Sequence, residues 1–446
     1  MENLFKSKKC DVLGLGISNI PLVRYLLDEG AAVRIHEKKE YSELDDGQRE
    51  FIGKAEYVCG ANYLDGIDGD YVFRSPGIRP DLPEIQAAVE RGATLTSEME
   101  LFFYLCPCRI IAVTGSDGKT TTTTLISEIL AEQYGRDRVF VGGNIGEPLL
   151  PRVRDMTPRS IVVVELSSFQ LMQLPNGPDI CVVTNVSPNH LNWHKDMDEY
   201  VWAKGNIFRN MHGGRVVLNA ANEYTKKMAE EVPEDNEILW FNGIDCVEIP
   251  GAISCNGVIA LWESDIFIRG HHNVENYMAA IAATWRLVEN KYYTKVAKEF
   301  KGVAHRIEFV RELDGVRYYD SSIDSSPSRA IACINSFRER PIVILGGRDK
   351  HVPFDGLAEL LVRKAKTVIL TGEAADQIKK ALDNCECDGE KPPILMVPDF
   401  LGAVIAAKNA AESGDVVLLS PACTSFDVFK NFEQRGDRFK EIVNGF

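Results

Sequence analysis

The sequence predicts an α/β protein of three Rossmann-like α/β domains in series, the central one built on a parallel sheet of the P-loop ATPase kind. Short apolar runs recur along the chain, each closed by a glycine-rich or polar turn and followed by a helical pattern, as strand–turn–helix units require. The chain has 446 residues, more than one hydrophobic core usually serves, so two or three domains are expected. One turn, Thr114-Gly-Ser-Asp-Gly-Lys-Thr-Thr121, has the composition of a phosphate loop.

In the first domain, expected over 1–97, Cys10-Asp-Val-Leu13 reads as a strand running into Gly14-Leu-Gly16. A helix follows to about Glu29, and Val33–Glu37 is a second strand ending in an acid. That is the Rossmann order of glycine turn, helix, strand and acid, with Asn19 in place of the third glycine. A phosphate- or uridine-type ligand and a tight packing turn explain it about equally well. Asp70–Arg74 is another strand, ending in Ser75-Pro-Gly77, where Gly77 is free to take a positive φ.

The central domain, expected over 98–303, begins with the apolar strand Ile110–Val113 and the phosphate loop. Backbone N–H groups and a helix N-terminus converge there, which suits a polyphosphate. Lys119 is expected to reach a phosphate oxygen, and the Thr120 or Thr121 hydroxyl a magnesium ion. The loop is shorter than the general G-x-x-x-x-G-K-[ST], which needs glycine where Val113 stands. The helix that follows carries Leu125, Ile126, Ile129 and Leu130 at helical spacing. Gly142-Gly-Asn144-Ile-Gly146 is the next glycine turn, and Ile161–Val164 is an apolar strand closed by Glu165, where a magnesium ligand is expected. A further strand, Ile180–Asn185, leads to His190; a lone histidine after a strand is more often structural than catalytic. Lys204 lies in a helix whose Tyr200, Val201, Trp202, Ile207 and Phe208 leave little solvated face, so it is expected to point inward with a depressed pKa. Asn273 and Asn276 share one face of a small-residue helix.

The third domain, expected over 304–446, follows a linker through His305-Arg306-Ile-Glu308. Its strands are expected at 316–320, 341–345, 367–370 and 415–419, with Lys350 beyond a strand end and Ser420–Phe432 after the last strand.

Composition narrows the function. A formal charge of −15 argues against a broad nucleic-acid surface, which needs a basic stripe. Eleven scattered cysteines with no C-x-x-C pair indicate neither zinc nor a disulfide framework and fit a reduced cytoplasmic protein. No apolar run approaches the ~18 residues of a membrane span.

Taken together, T-G-S-D-G-K-T-T, G-N-I-G, Glu165-Leu-Ser-Ser-Phe-Gln170, Asn189-His190, Ala203-Lys204, His272-Asn-x-x-Asn276, His305-Arg306-x-Glu308 and Ser420-Pro-Ala-Cys through Asn431-Phe-Glu-Gln-Arg-Gly436 resemble the Mur ligase family. These are ATP-dependent enzymes that add amino acids to the peptidoglycan precursor, and the long matches are similar to the branch that handles glutamate. The resemblance implies ATP, UDP-N-acetylmuramoyl-L-alanine and D-glutamate as substrates, an acyl-phosphate route, two magnesium ions, and a cytoplasmic monomer with no nucleic-acid or membrane partner. By the same resemblance Gly115, Ser116, Asp117, Gly118, Lys119, Thr120 and Thr121 hold the ATP phosphates, with Asn273 and Asn276 at adenine and Arg306 and Asp320 on ribose and phosphates. Thr120, Glu165, His190 and Lys204, the last as a CO2-derived carbamate, meet magnesium; Lys119, Lys204 and His190 are the catalytic set. Ile17, Ser18, Glu37, Lys38, Ser75, Gly77 and Asn144 match contacts to the UDP substrate, and Lys350, Ser425 and Phe432 contacts to the amino acid.

Two places depart from the family pattern. After Asp320 the usual D-S-K-A-T-N reads Asp320-Ser-Ser322-Ile-Asp324-Ser, and Asn189 stands where aspartate is common. Asp324 is expected to be neutralised locally by Arg329 or Lys350. Other readings are a same-fold ligase for L-glutamate, a folylpolyglutamate synthase, an NAD-dependent oxidoreductase on Gly14-x-Gly16, and a non-catalytic nucleotide sensor.

Overall fold

The computed structural model describes residues 4–191, 193–268, 270–348, 352–387 and 389–446. The chain forms two compact units, one running to Asp265 and including His272–Lys298, the other made of Ile266–His271 and Glu299–Phe446.

The first unit holds two sheets. The N-terminal one has the order Glu56–Cys59, Ala32–Glu37, Lys9–Leu13, Tyr71–Arg74, Thr94–Thr96, all parallel. Parallel strands need crossovers, and the helix Asn19–Asp28 supplies one, burying Leu22, Val23 and Leu26 against Val12 and Ile35. Each such side chain contributes roughly 1.5–3 kcal/mol. Asp11 is fully buried and compensated: it accepts from the backbone N–H of Asp68 and Gly69 at 2.8 and 2.7 Å and faces His36 Nε2 at 3.2 Å.

The central sheet runs Val258–Trp262, Ala252–Cys255, Cys246–Ile249, Glu237–Phe241, Arg215–Asn219, Ile180–Val183, Arg109–Thr114, Ile161–Glu165, Val139–Gly143. From Glu237–Phe241 onward the strands are parallel, as expected, and the buried run Ile110–Val113 sits near the middle. The three strands over 246–262 are an antiparallel ribbon added to one edge. Its tight turn is Asn256-Gly257, both with positive φ, which matches the twist of a two-residue hairpin. The helix Lys119–Tyr134 buries Leu125, Ile126, Ile129 and Leu130 at the anticipated positions.

The helix Glu98–Leu105 joins the two sheets. Ser97 caps it by accepting from the Glu100 N–H, and Met99, Leu101, Phe102 and Phe103 are buried. Two of its carboxyls are buried as well. Glu98 has the Leu150 N–H on one side, while its Oε1 has no hydrogen-bond partner. Burial pushes its pKa up to about 7, and that of Glu100 likewise, despite the Ser97 hydroxyl and nearby Arg74.

The second unit carries a sheet in the order Glu308–Leu313, Val316–Asp320, Val416–Leu419, Ile342–Gly346, Thr367–Thr371, Ile394–Met396. The first pair is an antiparallel hairpin and the rest are parallel. Asp320, Gly346 and Leu419 end neighbouring strands, so the loops after them open at one edge, where α/β ligands bind.

An unfolded Glu98 ionises near 4.5 and the folded one near 7, so between those values the native state holds the extra proton and stability falls as pH rises. Glu98→Gln is therefore expected to raise the urea midpoint at about pH 8 more than at about pH 5. An equal gain at both pH values would refute the burial argument.

Candidate functional site

The phosphate loop is shaped by two glycines and pinned by one strand end. Gly115 has φ of 149°, and a Cβ there would lie 1.9 Å from Thr184 Oγ1. Gly118 is left-handed at φ 77°, and its Cβ would fall 2.5 Å from Asn276 Oδ1. Thr184 Oγ1 donates to Asp117 O at 2.6 Å, the Asp117 N–H donates to Asn185 Oδ1 at 3.0 Å, and the Ser116 hydroxyl meets Ser187 O and the Tyr200 hydroxyl. Behind the loop the helix begins at Gly118 with no side-chain cap and no acid in its first turn. Its orphan N–H groups and positive dipole end face the loop, the arrangement that suits a phosphate.

Two lysines converge on one oxygen of this loop. Lys119 Nζ donates to Gly115 O at 3.0 Å and to Ser116 O at 2.9 Å, and Lys204 Nζ donates to the same Gly115 O at 2.7 Å. Lys204 is 1% exposed, on the helix Met197–Arg209, with its nitrogen 4.7 Å from the centre of the Tyr200 ring. Burial, and then the charge of Lys119, drive its pKa well below the ordinary lysine value. Its inward position is the one expected from the apolar residues around it.

Glu165 ends its strand 1% exposed, with Oε2 accepting from Thr120 Oγ1 at 2.8 Å and Oε1 from Asn144 Nδ2 at 2.9 Å. A carboxylate beside a hydroxyl and an amide is a hard-oxygen donor set that fits magnesium. Thr121 is buried in the same first turn. Asn276 Nδ2 donates to Asn273 Oδ1 at 3.1 Å, and Thr122 Oγ1 to Asn276 Oδ1 at 3.3 Å, so both asparagines stand beside the loop helix. His190 is exposed with φ of 55°, its ring 5.0 Å from that of Phe169, and its backbone N–H donates to Asn189 Oδ1.

In the N-terminal sheet, Glu37 Oε2 accepts from the Leu15 N–H at 2.8 Å, which fixes the Gly14-Leu-Gly16 turn. Asn19 Nδ2 donates to Gly14 O at 2.7 Å, so the residue in the third-glycine place ties the turn. Ile17 is 82% exposed at its tip, with Ser18 beside it and Lys38 exposed past the strand. Ser75 donates its N–H to Leu13 O, bringing the two turns to one edge. Gly77 differs from expectation: it does not take a positive φ, and open space surrounds the position of a Cβ.

In the second unit Asp320 is fully buried, with Oδ2 2.7 Å from His305 Nδ1 and Oδ1 accepting from the Ser322 N–H. Arg306 follows His305, and its charge acts on Asp324. Asp324 does not pair with Arg329, which donates to Ile323 O instead; it is buried and accepts from Ser420 Oγ at 2.8 Å. Burial outweighs the hydroxyls of Ser321 and Ser420 and raises its pKa. Ser322 Oγ donates to Phe432 O at 2.8 Å and accepts from Arg435 Nε at 2.9 Å. Ser425 is buried on the neighbouring loop, and Lys350 lies outside the described residues.

The structure adds polar residues that the motifs do not single out. Arg74, fully buried, donates to Phe169 O, Gln173 Oε1, Pro76 O and Ile78 O. His194, 2% exposed, meets Ser168 Oγ with Nε2 and Glu199 with Nδ1, and Glu199 holds Arg79 through two oxygens. An arginine closing an apolar strand is the one sequence signal that could have marked Arg74.

Profiles described as "Mur ligase MurD-like, N-terminal domain", "Mur ligase middle domain" and "Mur ligase, glutamate ligase domain" match residues 8–97, 113–284 and 305–423. The chain is 45% identical to a UDP-N-acetylmuramoylalanine–D-glutamate ligase of Ruminiclostridium cellulolyticum and 47% identical to one of Acetivibrio thermocellus, each over 98% of this chain and 97% of the relative. Among solved structures it resembles the UDP-N-acetylmuramate-alanine ligase of Thermotoga maritima (19% identity, TM-score 0.58, 98% of this chain and 99% of that one). It also resembles MurF of Acinetobacter baumannii (14%, TM-score 0.58, 99% and 92%). At such identities these two likenesses concern the fold.

Gly118→Ala is expected to weaken ATP binding at least about tenfold, since the left-handed backbone costs about 1–2 kcal/mol and the methyl displaces Asn276. Gly213→Ala carries a similar positive φ in open space and serves as the control. Equal ATP affinities of the two variants by calorimetry would remove the steric argument.

Proposed function

The chain belongs to the Mur ligase family, and on that premise we propose that it is the ATP-dependent ligase that joins D-glutamate to UDP-N-acetylmuramoyl-L-alanine in peptidoglycan precursor synthesis. The names of its relatives support the substrate pair, and the matched first domain favours a uridine-linked substrate over a folate. The observation that carries the reading is the pairing of Lys119 and Lys204 on the Gly115 carbonyl beside Thr120 and Glu165.

A carboxylate oxygen is a poor leaving group, so the chemistry needs activation before the amide forms. The substrate carboxylate oxygen attacks the γ-phosphorus of ATP, and the bond to the ADP oxygen breaks. The amine of glutamate then attacks the acyl carbon, and the tetrahedral centre collapses with loss of phosphate and a proton. Lys119 and the open helix N-terminus stabilise the charge on the transferred phosphoryl group. Thr120 and Glu165 would hold a first magnesium ion, which would neutralise phosphate charge. Lys204, held low in pKa by burial, would be able to add CO2 at Nζ, the N–C bond forming as one C–O π bond opens and a proton leaves, and that carbamate with His190 would hold a second magnesium ion. Asn273 and Asn276 serve adenine, with Arg306 and Asp320 on ribose and phosphates. The turns at Ile17–Ser18, Glu37–Lys38, Ser75–Gly77 and Asn144 serve the UDP substrate. Lys350, Ser425 and Phe432 serve the incoming amino acid.

We infer domain boundaries at 1–97, 98–303 and 304–446 and a cytoplasmic monomer without nucleic-acid or membrane partners. Among the described residues no helix is long and apolar enough to cross a membrane. D-glutamate is preferred over L-glutamate because the relatives' names carry it, and the departure at Asp324 is absorbed locally by its hydrogen bond from Ser420.

Phosphate release with UDP-N-acetylmuramoyl-L-alanine is expected with D-glutamate and at least about tenfold less with L-glutamate, a difference of about 1.4 kcal/mol. A wild type that favours L-glutamate, or turns over only folates, contradicts the assignment. Lys204→Ala should lose activity by roughly 100-fold or more and regain part of it with acetate, which supplies oxygen ligands. Rescue by alkylamines alone would show that Lys204 acts as a cation.

A further inference from the structure

The turn after the strand Tyr71–Arg74 is held partly from within, with Ser75 O accepting from the Ile78 N–H and Arg74 bracing two further carbonyls, and partly by Trp193 from a distant loop. Pro76 O and Ile78 O accept from Arg74 Nη1, whose Nη2 donates to Phe169 O in the loop after Glu165. Gly77 O accepts from Trp193 Nε1 at 2.9 Å. Arg79, next in the chain, donates to Trp193 O at 2.7 Å, and its guanidinium carbon lies 5.0 Å from the Trp193 ring centre, a cation–π distance. The same guanidinium meets both oxygens of Glu199 at 2.8 and 3.0 Å and both oxygens of Asp81.

Trp193 is bound just as closely to the loop that carries His190. The backbone N–H groups of Trp193 and His194 each donate to His190 O at 3.0 Å, and the Phe169 ring lies 4.5 Å from that of Trp193 and 5.0 Å from that of His190. His194 joins Ser168, three residues past Glu165, to Glu199, which in turn holds Arg79. The turn at 75–79 and the two loops after Glu165 and before Lys204 are therefore one hydrogen-bonded body, while the side of Gly77 where a Cβ would project is open.

We propose that Arg79 and Trp193 are positioning residues that couple occupation of the 75–77 turn by the uridine-diphosphate substrate to the placement of the His190 loop, so that this substrate and magnesium-ATP strengthen each other's binding. This rests on the functional reading above. A ligand that presses on Gly77 bears on its carbonyl, and through Trp193 on the backbone of His190. Neither Arg79 nor Trp193 needs to touch a reacting atom. The coupling is reciprocal, so each ligand must raise the affinity of the other by the same factor.

The test measures binding of a non-hydrolysable ATP analogue with magnesium to the full chain, without and with saturating UDP-N-acetylmuramoyl-L-alanine. Wild type is expected to bind the analogue at least about fivefold more tightly with the second ligand present. Trp193→Phe keeps the aromatic contacts and loses the N–H, and Arg79→Lys keeps the charge and loses the fork to Glu199. Both should bind each ligand alone within about twofold of wild type, with the coupling reduced below about twofold. Wild-type coupling in both variants, or none in wild type, overturns the proposal. Failure of wild type to bind the UDP compound at all would instead bring down the functional reading beneath it.

Discussion

The site is organised by the carbonyl oxygen of Gly115, on which two lysine nitrogens close. Burial, and then repulsion from the Lys119 ammonium, hold the Lys204 pKa well below the ordinary lysine value. Holding such an arrangement takes a rigid frame. The frame is the strand end at Thr184–Ser187, which grips Ser116 and Asp117, together with Glu165, which ties Thr120 on one side and Asn144 on the other. A buried amine next to a second cation has little structural value; removing it would relieve desolvation. An anion arriving beside it would offset that cost.

Much of this site was legible because the signals are local. The phosphate loop, Glu165 after an apolar strand, the shared face of Asn273 and Asn276, and the inward Lys204 each depend on residues within a few positions of one another. The parts that were not legible join distant segments: Trp193 reaches Gly77 across 116 residues, and Arg79 reaches Glu199 across 120. No periodicity encodes such a pairing. The antiparallel ribbon at 246–262 is a different case, since Asn256-Gly257 between two apolar runs is a local hairpin signal that went unused beside the stronger parallel pattern.

Departures from the family pattern in the second unit are each accommodated by hydrogen bonds. A serine at 322 leaves its hydroxyl free to bridge Phe432 O and Arg435 Nε, and the guanidinium also donates to Ser322 O and Cys423 O. An acid at 324 finds Ser420. The loops after the neighbouring strands that end at Asp320 and Leu419 are thus cross-linked by these side chains. Single substitutions here sample only half of a linked change, so their effects should not add.

His190 shows what the loop sacrifices for its geometry. Its backbone is left-handed at φ 55°, a conformation costing a β-carbon-bearing residue on the order of 1–2 kcal/mol. Glycine there would relax the backbone and delete the imidazole in the same stroke. A search for more heat-resistant forms of this chain would drift toward that exchange, and selection for durability alone would trade away the imidazole at this position.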